Sequence, residues 1–143
     1  MSRRPFLSIF SLLLLTVPVR LAMAQAADPA PHTITVTLVQ QAGPKPYAFK
    51  PATFSAERGD TLRFVNGADM MHNVHFIAEP RGSHLGSATM GPYLSTKGQV
   101  YSVVVDSRFT DGTYKLVCDP HAALGMSATL NVVEPSSKTT ASK

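Results

Sequence analysis

Apolar and polar residues alternate along much of the chain with a period of two, which is typical of β-strands buried on one face. Residues 32–41 place Ile34, Val36 and Leu38 on one face and threonines on the other. The run from 49 to 57 is interpreted as one strand, and glycine-containing turns follow near 59 and 67. With the later runs, the pattern predicts about seven or eight short strands in an all-β sandwich.

The first 24 residues predict a cleavable signal peptide, because they combine an arginine pair, an apolar run and the small-residue sequence AMA. The apolar run is shorter than the ~20 residues of a membrane span, and Arg20 interrupts its end. The start SRRPFL also resembles a twin-arginine export signal, although Ser8 stands where lysine is common, so both export routes remain open.

The mature protein is therefore expected outside the cytoplasm, in the periplasm, with no stable membrane insertion after cleavage. We predict one domain at 25–135 and a disordered tail at 136–143, where the sequence is small and polar. The formal net charge is +4, and removal of three signal arginines lowers it to +1. The chain contains no run of lysine or arginine, so we expect no nucleic-acid partner.

The chain contains a single cysteine, Cys118, within CDPHAALGM. Cysteines of exported proteins usually pair, and this one has no partner in the chain. It could form an intermolecular bridge, react as a thiol, bind a metal or pack as an inert core residue. His121 and Met126 follow within eight positions, and this combination of sulfur and nitrogen groups favours a metal ligand.

Strand parity predicts that these groups meet. Cys118 shares a face with Leu116 of the strand that enters the loop, and Met126 shares a face with Ala128 of the strand that leaves it. Cys118 and Met126 are therefore expected to point inward from the two ends of one loop. His121 lies between them in the same loop.

A fourth ligand is expected from a neighbouring strand, where MHNVHF offers two histidines. His72 shares its strand face with Val74 and Phe76, whereas His75 shares its face with Asn73 on the polar side. We therefore choose His72 and expect His75 to face solvent. Methionines near this segment and His84 could form a second soft-metal site, although exposed or gap-filling roles are favoured.

The resulting donor set is typical of a blue-copper site, with two imidazoles and a thiolate in a trigonal plane and a weak axial thioether. The four residues are His72, Cys118, His121 and Met126. Sulfur ligands suit Cu(I) and imidazole is acceptable to both oxidation states, so one copper ion could alternate between Cu(I) and Cu(II) with little rearrangement. Zinc suits the thiolate and imidazoles too, but the methionine argues against it.

Three segments resemble the small cupredoxins, the group that includes plastocyanin, pseudoazurin and amicyanin: FKPATFSAERGDTLRFVN, MHNVHF and GTYKLVCDPHAALGMSATLNV. The resemblance implies a cupredoxin-like Greek-key β-sandwich. It also implies the same four copper ligands. The asparagine after the first histidine, here Asn73, would support the cysteine sulfur by hydrogen bonding.

The resemblance further implies that the edge of His121 is exposed in an apolar patch, here with Pro120, Ala122 and Leu124, where redox proteins dock transiently to a monomer. An acidic patch for a basic partner is absent, and Glu79 and Asp119 are interpreted as isolated acids. The segment 80–98 has no counterpart that can be aligned.

The function predicted from these observations is a soluble type 1 (blue) copper protein that shuttles single electrons between redox partners. The alternative is a copper-binding module for delivery or resistance, supported only by histidines and methionines outside the site. An enzyme is not expected, because copper oxidases and nitrite reductases need further ligands, such as paired histidines, and the chain has no His-x-His sequence.

Overall fold

The computed structural model describes residues 30–135, so the predicted signal peptide at 1–24 and tail at 136–143 lie outside the described residues. Their bounds, and that of the domain at 25–135, stay predictions. No helix among residues 30–135 has the length and apolar character needed to cross a membrane. The strands are β1 (Thr33–Gln40), β2 (Tyr47–Lys50), β3 (Thr53–Glu57), β4 (Thr61–Asn66), β5 (His75–Ala78), β6 (Val100–Val104), β7 (Gly112–Val117) and β8 (Ser127–Val133).

The eight strands form two four-stranded sheets, in the orders β2-β1-β4-β6 and β3-β8-β7-β5. Strand β1 pairs in parallel with β4, and β3 pairs in parallel with β8. The remaining neighbours are antiparallel. This arrangement confirms the predicted all-β sandwich of seven or eight strands.

The core lies between the sheets and is built by alternate residues of each strand. In β1, Val36 and Leu38 are fully buried, as their alternation predicts, and in β4 Leu62 and Phe64 are fully buried. Full burial of such a side chain stabilises the folded state by about 1.5–3 kcal/mol. The buried hydroxyl of Tyr114 is hydrogen-bonded to the backbone of residue 110.

The single strand predicted over residues 49–57 is wrong, because the chain there forms β2 and β3 in different sheets. Pro51 lies between them and has no N–H to donate to a continuing ladder. The β-type run at 71–79 is also shorter than predicted, since β5 begins only at His75. Its first part forms one isolated bridge, between His72 and Leu94.

The sheet topology brings the predicted ligand segments to one end of the sandwich. Strands β7 and β8 form an antiparallel hairpin whose connection spans residues 118–126. Strand β5 pairs with the other edge of β7, with His75 opposite Val117. Residues 72–74, which precede β5, therefore lie beside Cys118, which follows β7. A short 3₁₀ helix, Asp119–Leu124, occupies most of the connection.

Candidate metal centre

The connection between β7 and β8 is a tightly bonded turn that fixes its own ends. The Cys118 N–H donates to the Met126 carbonyl at 3.3 Å, and the Met126 N–H donates to the His121 carbonyl at 3.2 Å. Gly125 ends the 3₁₀ helix with a φ of 83°, a left-handed conformation that favours glycine. The side chains of Cys118 and Met126 are both fully buried, as strand parity predicts.

The first histidine of MHNVHF is held by the segment opposite. The His72 N–H donates to the Leu94 carbonyl at 3.0 Å, and the Leu94 N–H donates back at 2.7 Å. His72 is fully buried, in agreement with the sequence-based choice of this residue over His75. Its backbone is thus paired on the side away from the loop, and its ring faces the loop.

Two imidazole nitrogens converge on one sulfur. The Sγ atom of Cys118 lies 3.5 Å from Nδ1 of His72 and 3.4 Å from Nδ1 of His121. Ligand atoms from these three residues lie within 4.8 Å of one another. Three of the four predicted ligands therefore meet at a single point, and the fourth, Met126, is buried at the end of the same connection.

The spacing suits a small metal ion. An ion bonded to sulfur at ~2.3 Å and to nitrogen at ~2.0 Å holds those two atoms about 3.5–3.7 Å apart at angles of ~110–120°. The observed separations of 3.4 and 3.5 Å are close to that value, so only a small widening would admit an ion. Together with the soft thiolate, imidazole and thioether donors, this geometry fits copper.

The two ring nitrogens of His72 differ in their surroundings. Nδ1 faces the Cys118 sulfur, whereas Nε2 is buried and has no hydrogen-bond partner among residues 30–135. Leaving a buried polar atom unpaired costs about 1–3 kcal/mol. The burial of His72 therefore does not serve the stability of the fold through its Nε2 atom, and Nδ1 is the nitrogen placed to bind an ion.

Burial controls the protonation of all three converging groups. Burial, with a smaller effect of His121, lowers the pKa of His72 from 6.5 to about 4. Burial also lowers the pKa of His121. Burial raises the pKa of the Cys118 thiol, while backbone hydrogen bonds from Asn73 and His121 oppose that rise. The lowered pKa values of both imidazoles favour their neutral form, which is the form that binds metals.

Asn73 ties the two ligand segments together. Its Oδ1 accepts the Asp119 N–H at 2.8 Å, and its Nδ2 donates to the Asp119 carboxylate at 2.7 Å. The parity argument placed Asn73 on a polar face, but the side chain is fully buried, because residues 72–74 precede β5 and do not alternate as a strand would. The hydrogen bond that opposes the rise of the thiol pKa comes from its backbone.

His75 and Asp119 differ from their predicted roles. Nδ1 of His75 lies 2.8 Å from Oδ1 of Asp119, so the acid is paired rather than isolated, and only 26% of the His75 side chain is exposed. Burial alone would raise the pKa of the Asp119 carboxyl, but hydrogen bonds from Asn73 and His75 hold it below its usual value. His75 thus pairs with Asp119, the residue that follows Cys118.

Tyr47, the first residue of β2, also contributes to this site. Its ring centroid lies 3.9 Å from that of His121, at an interplanar angle of 33°. It lies 6.0 Å from that of His72, edge to face. No sequence motif predicts this contact, because Tyr47 belongs to the other sheet and lies far from both histidines in sequence.

The outer surface of the connection is apolar. Pro120 and Ala122 are exposed, Leu124 is 49% exposed, and His121 is partly buried among them. The predicted apolar patch therefore exists as a surface. His84, in contrast, is exposed and is not a member of the converging cluster.

Comparisons with known proteins agree with this fold and site. Residues 35–133 match the family described as "Copper binding proteins, plastocyanin/azurin family". Plastocyanin of Ulva prolifera is 37% identical over 87 residues, which are 59% of this chain and 86% of that protein. Plastocyanin of Scenedesmus fuscus is 33% identical over 101 residues, which are 69% of this chain and 98% of that protein.

Solved structures give the same result. Pseudoazurin from Methylobacterium extorquens AM1 is 28% identical, with a TM-score of 0.51 over 70% of this chain and 74% of that one. A reduced mutant amicyanin is 32% identical, with a TM-score of 0.53 over 77% of this chain and 88% of that one. These are the three groups named in the resemblance drawn from the sequence.

Proposed function

Because the chain belongs to the plastocyanin/azurin family of copper-binding proteins, we propose that it is a type 1 (blue) copper protein that carries single electrons. The observation that supports this most strongly is the convergence of two histidine Nδ1 atoms on the Cys118 sulfur in a buried pocket. We assign His72, Cys118, His121 and Met126 as the ligands of one copper ion. Asn73 supports the cysteine sulfur through its backbone N–H.

The residues around the pocket favour electron transfer over catalysis. When bound, copper supplies a one-electron couple between Cu(I) and Cu(II). The protein's part is to exclude water by burying Cys118 and Met126 and to hold both imidazole nitrogens near their binding positions before the ion arrives. With all four donors supplied by the protein, no open position is left for a substrate, so we propose no enzymatic activity.

The exposed apolar surface around His121 supports a transient docking role. A small apolar area lets redox partners approach the imidazole edge without forming a stable complex, as in encounters that bury less than ~1,200 Å². We propose that the protein is a monomer that meets its partners there, at Pro120, Ala122 and Leu124. The predicted signal sequence supports action outside the cytoplasm, in the periplasm.

Addition of Cu(II) to the purified metal-free protein tests the proposal. We expect an intense blue absorption from charge transfer between thiolate and copper, in a ratio of one copper to one protein. Cys118→Ser should abolish the colour, and His121→Ala should change it strongly. His84→Ala is the matched control, because His84 is exposed and outside the cluster. A colourless complex with wild-type protein would contradict the assignment.

Electron self-exchange separates a carrier from a copper-delivery protein. The carrier should exchange electrons rapidly between its oxidised and reduced forms and lose copper slowly to a chelator. Slow exchange combined with fast copper loss would instead favour delivery. The two rates are measured on one sample, by line broadening in NMR spectra of mixed oxidation states and by chelator competition.

A further inference from the structure

We propose that Tyr47 is a positioning residue that holds the imidazole of His121 in its metal-binding orientation. The effect of Tyr47 on copper binding rests on the proposed function, whereas its contact with His121 does not. His121 lies on the exposed turn between β7 and β8, and Tyr47 comes from β2 of the opposite sheet. The site would thus be closed by an aromatic side chain that contacts both histidine rings.

The ring geometry carries the proposal. The centroids of Tyr47 and His121 are 3.9 Å apart, which is the shortest ring separation among residues 30–135. At an interplanar angle of 33° the two faces overlap, so the tyrosine blocks rotation of the imidazole on that side. The Cys118 sulfur lies at Nδ1 of the same ring, and His72 lies 4.8 Å from its centroid.

Other restraints on the His121 side chain are few. Its backbone is fixed, because its N–H donates to the Cys118 carbonyl at 2.9 Å. Within residues 30–135 its side chain has one polar contact, to the sulfur, and its neighbours Ala122 and Ala123 are small and exposed. Tyr47 is therefore the bulky group that limits which rotamers the imidazole can adopt in the metal-free protein.

The segment before Tyr47 is built to hold its ring in place. The Gln41 N–H donates to the Pro46 carbonyl at 2.8 Å, and the Gln41 side chain donates to the Lys45 carbonyl at 3.0 Å. Pro44 and Pro46 fix their own φ angles and restrict the residues before them. Tyr47 then pairs with Gln40 as the first residue of β2.

The same segment also lies near the far end of the connection. The alkyl stem of Lys45 runs past Gly125, where an added Cβ would lie 3.6 Å from the Lys45 Cε atom. The turn at 41–47 therefore contacts the metal-site connection at His121 through Tyr47 and approaches it at Gly125 through Lys45. The proline-stiffened turn thus lies along the exposed connection and limits its movement on that side.

The energy of the ring contact gives the expected loss of Cu(I) affinity when the Tyr47 ring is removed. Aromatic pairs of this kind shift an equilibrium by about 2- to 12-fold beyond the area they bury. If Tyr47 acts mainly on the metal-free protein, its loss lowers the fraction of molecules with His121 in the binding orientation by at most that factor. The apparent affinity for Cu(I) follows that fraction, so it falls by up to about 12-fold.

The first test needs no copper. In NMR spectra of the full metal-free protein, the His121 ring protons should be shifted upfield by the adjacent tyrosine ring. Tyr47→Phe should keep the shift, and Tyr47→Leu should remove it. Tyr93→Leu is the control, because Tyr93 is 51% exposed and has no ring contact with either histidine among the described residues. Unshifted His121 signals in wild-type protein would overturn the proposal, whether or not the protein carries electrons.

The second test measures function. Cu(I) affinity, determined by competition with a chelator, should fall measurably, by up to about 12-fold, in Tyr47→Leu and return to near wild type in Tyr47→Phe. The reduction potential should change in Tyr47→Leu and stay constant in Tyr93→Leu. Wild-type Cu(I) affinity and potential in a folded Tyr47→Leu protein would overturn the positioning role. Failure of every variant, wild type included, to bind copper would instead contradict the proposed function.

Discussion

Substitution of Asn73 by alanine tests whether this buried amide holds the connection between β7 and β8 against the segment that carries His72. Asn73 makes one hydrogen bond to the Asp119 N–H at 2.8 Å and one to the Asp119 carboxylate at 2.7 Å. A neutral hydrogen bond contributes about 0.5–1.5 kcal/mol and one to a charged group about 1.5–3 kcal/mol. We therefore expect Asn73→Ala to lower the free energy of unfolding by about 2–4.5 kcal/mol.

The assay is urea denaturation of the metal-free protein, so that copper binding does not contribute. Asn131→Ala is the matched control, because within the part of the chain that the structure describes the Asn131 side chain has a single hydrogen bond, accepted from Thr113 on the outer face of the sheet. That variant should change the free energy by about 0.5 kcal/mol or less. In the copper-loaded protein, Asn73→Ala should also shift the blue absorption, since the loosened connection carries Cys118. Equal stability of the two variants would refute the argument that Asn73 joins the segments.

Three further predictions concern the core, a turn and the metal site. Tyr114→Phe should lower the free energy of unfolding by about 1–3 kcal/mol, measured by denaturation, because the Thr110 N–H loses its partner, whereas the blue absorption should stay unchanged. Gly112→Ala should destabilise the protein by more than about 1 kcal/mol, because φ is 133° and the new Cβ would lie 2.8 Å from Pro80 Cγ; an unchanged melting temperature would contradict this. Metal at 100 times its dissociation constant should stabilise wild type by about 2.7 kcal/mol in thermal melts and stabilise Cys118→Ser far less.

The fold was predictable from local patterns because each half-buried strand shows its own alternation. Val36 and Leu38 in β1 are buried as expected, and the turn near Gly59 separates β3 from β4. Where the pattern misled, the cause was not local. The run at 49–57 reads as one strand, and only the packing of two sheets requires that it leave one sheet at Lys50 and enter the other at Thr53.

The residues proposed as ligands could be chosen from the sequence for a related reason. Three of them lie within one short connection, where spacing alone places Cys118, His121 and Met126 together. His72 is distant in sequence, but it alternates with the apolar residues Val74 and Phe76. The residues that contact the proposed ligands, such as His75 and Asp119, have no comparable sequence pattern. The pairing of His75 with Asp119 depends on the register between β5 and β7, which sequence alternation leaves undetermined.

The two sheets position different residues of the site, and Tyr47 is the contribution of the sheet that contains β2. Cys118 and Met126 are attached to the paired strands β7 and β8, and the segment with His72 precedes β5 of the same sheet and is bridged to Leu94. Backbone hydrogen bonds therefore set the positions of these three residues. His121 is the exception, since its turn projects from that ladder and is exposed on its outer side. Tyr47, from the opposite sheet, therefore contacts His121, which is the proposed ligand that the sheet of β7 and β8 restrains least. Rigidity at that position matters most for an electron carrier, because movement of the exposed imidazole between oxidation states would add directly to the rearrangement that slows each transfer.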